Sequence, residues 1–197
     1  LFYTCSMLEI VVLKRYNTKV KNKERKQIME NLLWLFPVIF MLHEMEEIIG
    51  FGPWLDKNQA ILDKYPRIAA AYEHFSPSGF ALAVLEEYLV VIIITGASLY
   101  FANYLVWLGA FIAFSLHLVI HLIQSILIRK YIPALASSLV LLPPSILIIK
   151  RVIAMSSYSL ISLLISTFLC LILMVVNLAF AHQLMRLVTK SLKSQKT

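Results

Sequence analysis

The sequence has few cysteines, few glycines and few acidic residues for its length. Its 197 residues include 2 Cys, 5 Gly and 11 Asp or Glu, against 18 Lys or Arg. Cys5 and Cys170 stand alone in apolar surroundings, which indicates neither a disulfide framework nor a zinc knuckle. A Gly-rich phosphate loop and a basic motif interleaved with aromatic residues are both absent, so we expect no nucleic-acid partner.

Hydrophobic sequence is what the chain has in excess. Hydrophobic residues make up 60% of it and the mean hydropathy is +0.79, well above the values of soluble domains. Several apolar runs reach the ~20 residues that a helix needs to cross a bilayer. These runs lack the alternation of polar and apolar residues that membrane barrel strands show. The sequence therefore predicts an all-α, polytopic transmembrane helix bundle.

The apolar sequence divides into about five segments that follow a basic linker. The segments are 32–54, 80–101, 104–128, 133–149 and 158–188. The fourth contains Pro143 and Pro144, which remove two backbone donors, so we expect it to be kinked or re-entrant. In domain terms, 1–30 is a short apolar segment plus the linker, 31–190 is one transmembrane domain, and 191–197 is a polar tail.

Basic residues collect at the flanks of the apolar segments, which accounts for the net charge of +7. This distribution is typical of contacts with lipid headgroups and of topology signals. The cluster within 14–26 predicts a cytoplasmic start for the chain. We expect an integral membrane protein whose first partner is the lipid bilayer.

Ionisable side chains interrupt the first apolar segment, and such groups inside a membrane usually mark a functional site. His43, Glu46 and Glu47 have the i, i+3, i+4 spacing of one helix face. Glu44 lies roughly 100° away from His43 around the helix, so we expect it to face solvent or headgroups.

Two further segments carry ionisable groups at a similar depth. His117 and His121 are spaced i, i+4 on the third segment, and Glu86 and Glu87 are adjacent on the second. Glu47, Glu86 and His121 each lie about seven residues from a segment end at the same membrane face, or ~10 Å deep. Because Glu86 and Glu87 are neighbours, only one of them can point directly at a shared centre.

A layer of imidazoles and carboxylates is a natural site for zinc, iron or manganese. Inward-facing Glu and His also hold the di-metal centres of helix bundles. The residues that we expect to bind a divalent transition metal are His43, Glu47, His117 and His121. The candidates for a further ligand, or for the general base on a metal-bound water, are Glu46, Glu86 and Glu87.

The string His-Glu-Met-Glu-Glu at 43–47 resembles the motif that names the HXXEE family of membrane proteins. The acidic pair within ALAVLEEYLVV, the pair His117 and His121, and the Tyr-x-Pro stretch that begins at Tyr131 add to the resemblance, which covers about 32–149. The resemblance implies a bacterial, membrane-integral protein whose motif suggests metal-dependent chemistry without naming a substrate. Family members often have Gly where this chain has Ala134.

Three functions fit this pattern. The first is a membrane metalloenzyme, a hydrolase or a di-metal oxidoreductase, that acts on a lipid-like or membrane-buried substrate. The second is a small proton- or metal-coupled transporter, which would need a polar path to the other membrane face. The third is a non-catalytic binding or sensing protein. An HExxH metalloprotease is excluded because Glu47 stands where the second histidine would be.

Overall fold

The structure, a computed structural model, describes residues 19–66, 70 and 75–194, with side chains to 191. The predicted apolar segment at the start and the last residues of the tail lie outside these ranges. The helices are α1 (19–33), α2 (Leu35–Lys57), α3 (Gln59–Lys64), α4 (Pro77–Tyr100), α5 (Leu105–Ile128), α6 (Leu135–Met155) and α7 (Leu160–Ser194). No strand occurs within the described ranges, so the all-α prediction is confirmed.

Four helices, α4, α5, α6 and α7, are long and apolar enough to cross a membrane. Helix α2 has a similar length of 23 residues, but Glu44, Glu46 and Glu47 set it apart by composition. The predicted membrane bundle is therefore confirmed. Helix α6 continues through Pro143 and Pro144 for 21 residues, and the predicted kink or re-entrant turn stays a prediction.

Local sequence explains where α2 and α4 begin. Pro37 lies in the first turn of α2, where the missing N–H has no helical acceptor to lose. At the start of α4, the Ser76 side chain accepts a hydrogen bond from the Gly79 N–H at 3.1 Å, and Pro77 occupies the first helical position. The start of α4 is thus fixed by a side-chain cap and a proline, whereas α2 has only the proline in its first turn.

Aromatic side chains fill the space between α2 and α5. Helix α2 packs directly against α4 and α6, whereas α5 packs against α6 and α7. Phe36 on α2 meets Trp107 and Phe111 on α5, with ring centroids 5.9 and 4.9 Å apart. Phe114 continues this cluster and packs edge-to-face against the His43 ring, with the two ring centroids 5.7 Å apart. The aromatic cluster therefore ends at the first predicted site residue.

Helices α5 and α7 approach each other closely at Gly109. A Cβ atom there would lie 2.5 Å from Ser166 Oγ and 2.8 Å from the backbone carbonyl carbon and oxygen of the same residue. Ser166 Oγ also donates a hydrogen bond to the Leu105 carbonyl at 2.9 Å. Small residues that let helix backbones approach in this way are typical of membrane helix interfaces.

We predict that Gly109→Ala destabilises the bundle by about 1–3 kcal/mol, because the added methyl group meets the Ser166 backbone as well as the Ser166 hydroxyl, and the backbone cannot move aside. The matched control is Gly96→Ala, since a Cβ at Gly96 meets nothing within 4 Å. The control should be neutral or slightly stabilising because alanine is the better helix former. Unfolding of detergent-purified variants measures both effects, and equal stability of the two would contradict this packing.

Candidate metal centre

Two helices bring four predicted site residues together. His43 and Glu47 come from α2, and His117 and His121 come from α5. Each offers one ligand atom, and these atoms all lie within 4.8 Å of one another. The i, i+4 spacing puts each pair on one helix face, and the aromatic cluster sets the distance between the two faces. We call these residues the four-donor cluster.

Three of the separations within the four-donor cluster are close to those of ligands around a single ion. His117 Nε2 and His121 Nε2 are 2.8 Å apart, and His121 Nε2 and Glu47 Oε1 are 3.1 Å apart. His43 Nε2 lies 3.8 Å from Glu47 Oε1. Tetrahedral ligands with bonds of about 2.1 Å stand about 3.4 Å from one another. The observed distances bracket that value.

Burial makes the cluster costly without a cation. His43 is fully buried, and Glu47 and His121 are each 7% exposed. Neither His43 Nε2 nor Glu47 Oε1 forms a hydrogen bond with the part of the chain that the structure describes. Two imidazole nitrogens that face each other at 2.8 Å also need a shared proton or a cation between their lone pairs. The donor set therefore fits a divalent transition metal.

Glu46 lies outside the four-donor cluster, although it belongs to the same motif. Its carboxylate accepts hydrogen bonds from the Tyr131 hydroxyl at 2.5 Å, the Ser137 N–H at 2.6 Å and the Ala136 N–H at 3.2 Å. All three donors belong to the loop after α5 or to the first turn of α6. Glu46 therefore connects α2 to the start of α6.

The acidic pair on α4 does not belong to the four-donor cluster. Glu86 accepts a hydrogen bond from the Asn177 amide of α7 at 3.2 Å. Glu87 lines a small pocket between α4 and α7 together with His182. The four donors that converge all belong to α2 and α5, and a role for Glu86 or Glu87 as a further ligand or general base stays a prediction. The third helix beside the cluster is α6, through Ser137.

Glu44 was expected to face solvent or headgroups, and that expectation is wrong. The side chain is only 4% exposed. Its carboxyl lies near enough to Glu47 and to Glu87 on α4 to interact electrostatically with both. The reason is that α2 packs against α4 on this side, so the helix face away from His43 is covered by protein rather than by water.

Sequence reasoning missed Ser137. Its hydroxyl oxygen lies 2.9 Å from His43 Nδ1. A serine pair, Ser137 and Ser138, in the first turns of an otherwise apolar helix was the signal that could have found it. Serine at a helix start is common, however, and does not by itself indicate which distant side chain it contacts.

The fold and the cluster define a class: an α-helical membrane protein with a buried His/Glu cluster that could hold a metal ion. A family model described as "Protein of unknown function with HXXEE motif" matches residues 34–149. That range is more than half of the chain, so the protein belongs to the HXXEE family, as the sequence motifs predicted. No curated protein and no solved structure matches the chain.

The hydrogen bond between Tyr131 and Glu46 gives a pH-dependent prediction. Partial burial and the bond to the carboxylate raise the pKa of Tyr131 to about 12. An unperturbed tyrosine has a pKa of about 10. The protonated Tyr131 phenol therefore stabilises the folded state fully below about pH 10, and this contribution to folding stability is lost as the pH rises towards 12.

Titration of the phenolate absorbance should therefore show, in the wild type, an ionisation step of Tyr131 near pH 12. Tyr131→Phe should remove that step, and Glu46→Ala should move it to lower pH because the carboxylate acceptor is gone. A difference curve between wild type and Tyr131→Phe that rises near pH 10 would contradict the bond.

Proposed function

We propose that the protein is a membrane metalloenzyme in which His43, Glu47, His117 and His121 bind one divalent transition metal ion. The observation that carries the proposal is the convergence of four donor atoms within 4.8 Å inside a bundle of apolar helices. Zinc, iron and manganese all accept imidazole and carboxylate together. Bound there, such an ion would supply Lewis-acid or redox chemistry at a site closed to bulk water.

The position of the site supports a lipid-like or membrane-buried substrate. The helices around it expose large apolar side chains, among them Ile49 at 72% and Ile126 at 73%. A molecule that reaches the cluster from the side must therefore pass through hydrocarbon. We place the protein in the bacterial plasma membrane with its basic N-terminal segment on the cytoplasmic side.

Among the acids outside the four-donor cluster, Glu87 is the best candidate for a general base. Glu46 and Glu86 are each held by hydrogen bonds to other groups. Glu87 lies in electrostatic range of Glu47 and lines the pocket between α4 and α7. Glu87 thus interacts electrostatically with a residue of the four-donor cluster and also lines a pocket that a small group could enter.

Elemental analysis of detergent-purified protein tests the metal site. The wild type should carry about one transition-metal ion per chain, and His43→Ala or His121→Ala should lose it because each removes one of only four donors. The matched control is His182→Ala, which removes a histidine outside the cluster and should retain the metal. Folded wild type without metal after incubation with zinc, iron or manganese would refute the metalloenzyme.

Activity is tested by mass spectrometry of bacterial lipids incubated with the reconstituted protein. The metal-loaded wild type should convert a lipid component that His121→Ala leaves unchanged. Glu87→Gln should keep its metal but turn over about 10²–10⁴-fold more slowly, as expected when a general base is removed. Glu86→Gln is the neighbouring control and should retain more activity. Equal rates for Glu87→Gln and wild type would remove Glu87 from the catalytic role.

A small metal- or proton-coupled transporter is the second candidate, and one observation favours it. Thr95 and Ser98 are buried on the same side of α4 as Glu87, and Thr95 Oγ1 has no hydrogen-bond partner in the described ranges. These residues could extend a polar path away from the site, although the buried Val91 interrupts it. Metal uptake into vesicles that Thr95→Val abolishes would support transport over catalysis.

A further inference from the structure

The loop between α5 and α6 is attached to one face of α2. The Trp54 indole N–H donates a hydrogen bond to the Tyr131 carbonyl at 2.7 Å, and a Cβ atom at Gly50 would come within 2.9 Å of Pro133 Cβ. Together with Glu46, these α2 residues recur every four positions and form one stripe. The loop thus lies along α2 beside the face that carries His43 and Glu47.

Glu46 supplies the cap that α6 lacks in its own sequence. The N-cap position of α6 is Ala134, whose methyl group cannot accept a hydrogen bond. The Glu46 carboxylate instead accepts from the free N–H groups of Ala136 and Ser137 in the first turn. A carboxylate at this end of a helix also interacts favourably with the helix dipole. An acid on α2 therefore fixes where α6 begins.

The fixed first turn holds the Ser137 hydroxyl against His43. A serine hydroxyl has one proton to donate, and Ser137 Oγ donates it to the Ala134 carbonyl at 3.2 Å. The Glu46 carboxylate is a second acceptor close to this hydroxyl. With the proton used on either oxygen, the hydroxyl is left to accept at its 2.9 Å contact with His43 Nδ1. A neutral His43 ring would then carry its proton on Nδ1 and present the Nε2 lone pair to the four-donor cluster.

We propose that Glu46 and Ser137 are positioning residues of the metal centre. Glu46 anchors the first turn of α6, and Ser137 sets the tautomer and ring orientation of His43 so that Nε2 faces the other donors. The HxxEE motif then has two kinds of member: His43 and Glu47 donate to the ion, and Glu46 holds the helix that orients His43. This assignment rests on the proposed metal site for its consequence, but the hydrogen bonds themselves exist without a metal.

Ring-nitrogen chemical shifts of metal-free protein labelled with ¹⁵N-histidine test the tautomer directly. The His43 signals, identified by their loss in His43→Ala, should be those of a ring protonated on Nδ1. Ser137→Ala should shift the ring towards a mixture of tautomers. Ser138→Ala is the matched control, because Ser138 is a fully buried neighbour whose hydroxyl has no partner in the described part of the chain. A His43 ring protonated on Nε2 in the wild type, or unaffected by Ser137→Ala, would overturn the proposal.

Cobalt binding tests the consequence for the site. Ser137→Ala should weaken Co²⁺ affinity by about 10–100-fold, as loss of an outer hydrogen bond to a ligating histidine usually does. At saturating Co²⁺ its ligand-field absorption bands should also differ from those of the wild type, whereas Ser138→Ala should leave both properties unchanged. Unchanged bands in Ser137→Ala would overturn the positioning role even if affinity fell, because lower bundle stability alone does not move ligand-field bands.

The link through Glu46 is tested by a double-mutant comparison. Glu46→Gln should weaken Co²⁺ binding, because glutamine has only one accepting oxygen and either the Ser137 N–H or the Ala136 N–H therefore loses its acceptor. Combined with Ser137→Ala it should cost little more than either single change, since both act on His43. Fully additive losses of Co²⁺ affinity, or a Glu46→Gln variant with wild-type affinity, would contradict the proposal that Glu46 acts through Ser137. Wild-type protein that binds no Co²⁺ but shows the predicted tautomer would refute the metal site and leave the His43 assignment standing.

Discussion

A polar group inside an apolar helix bundle must be satisfied by other protein groups, because hydrocarbon offers it no hydrogen bond. The acids of this protein meet that requirement in different ways. Glu46 is satisfied by three donors from α6 and the loop before it, and Glu86 has the Asn177 amide. Glu47 Oε1 and His43 Nε2 have no such partner in the described ranges, yet they face each other and two more imidazoles. That contrast separates structural acids from candidate ligands.

The motif works as two faces of one helix. His43 and Glu47 are one turn apart and face α5, whereas Glu46, Gly50 and Trp54 face the loop that leads into α6. Because the two faces share a rigid helix, the position of the α6 first turn is fixed relative to His43. The Ser137 hydroxyl then completes the connection at 2.9 Å. The candidate metal centre therefore depends on α6 for the orientation of the His43 ring and on α5 for two of its four donors.

Helical periodicity made the four donors predictable. Spacings of four residues place His43 with Glu47, and His117 with His121, on single faces of their helices whatever the rest of the fold does. The cost of leaving such groups in lipid then required the two faces to meet. The role of Glu46 was not predictable in the same way, because its acceptor geometry involves backbone N–H groups about ninety residues further along the chain. Every residue has a backbone, so no sequence signal marks those partners.

The sequence by itself determined the helical class, the membrane setting and which side chains share each helix face, because hydropathy and the 3.6-residue period are local properties. Only the tertiary structure decided which faces meet. It buried Glu44 beside α4, placed Glu86 against α7 and brought Ser137 to His43. Those outcomes depend on the rotation and separation of packed helices, which here follow from bulky rings between α2 and α5 and a close contact at Gly109 between α5 and α7.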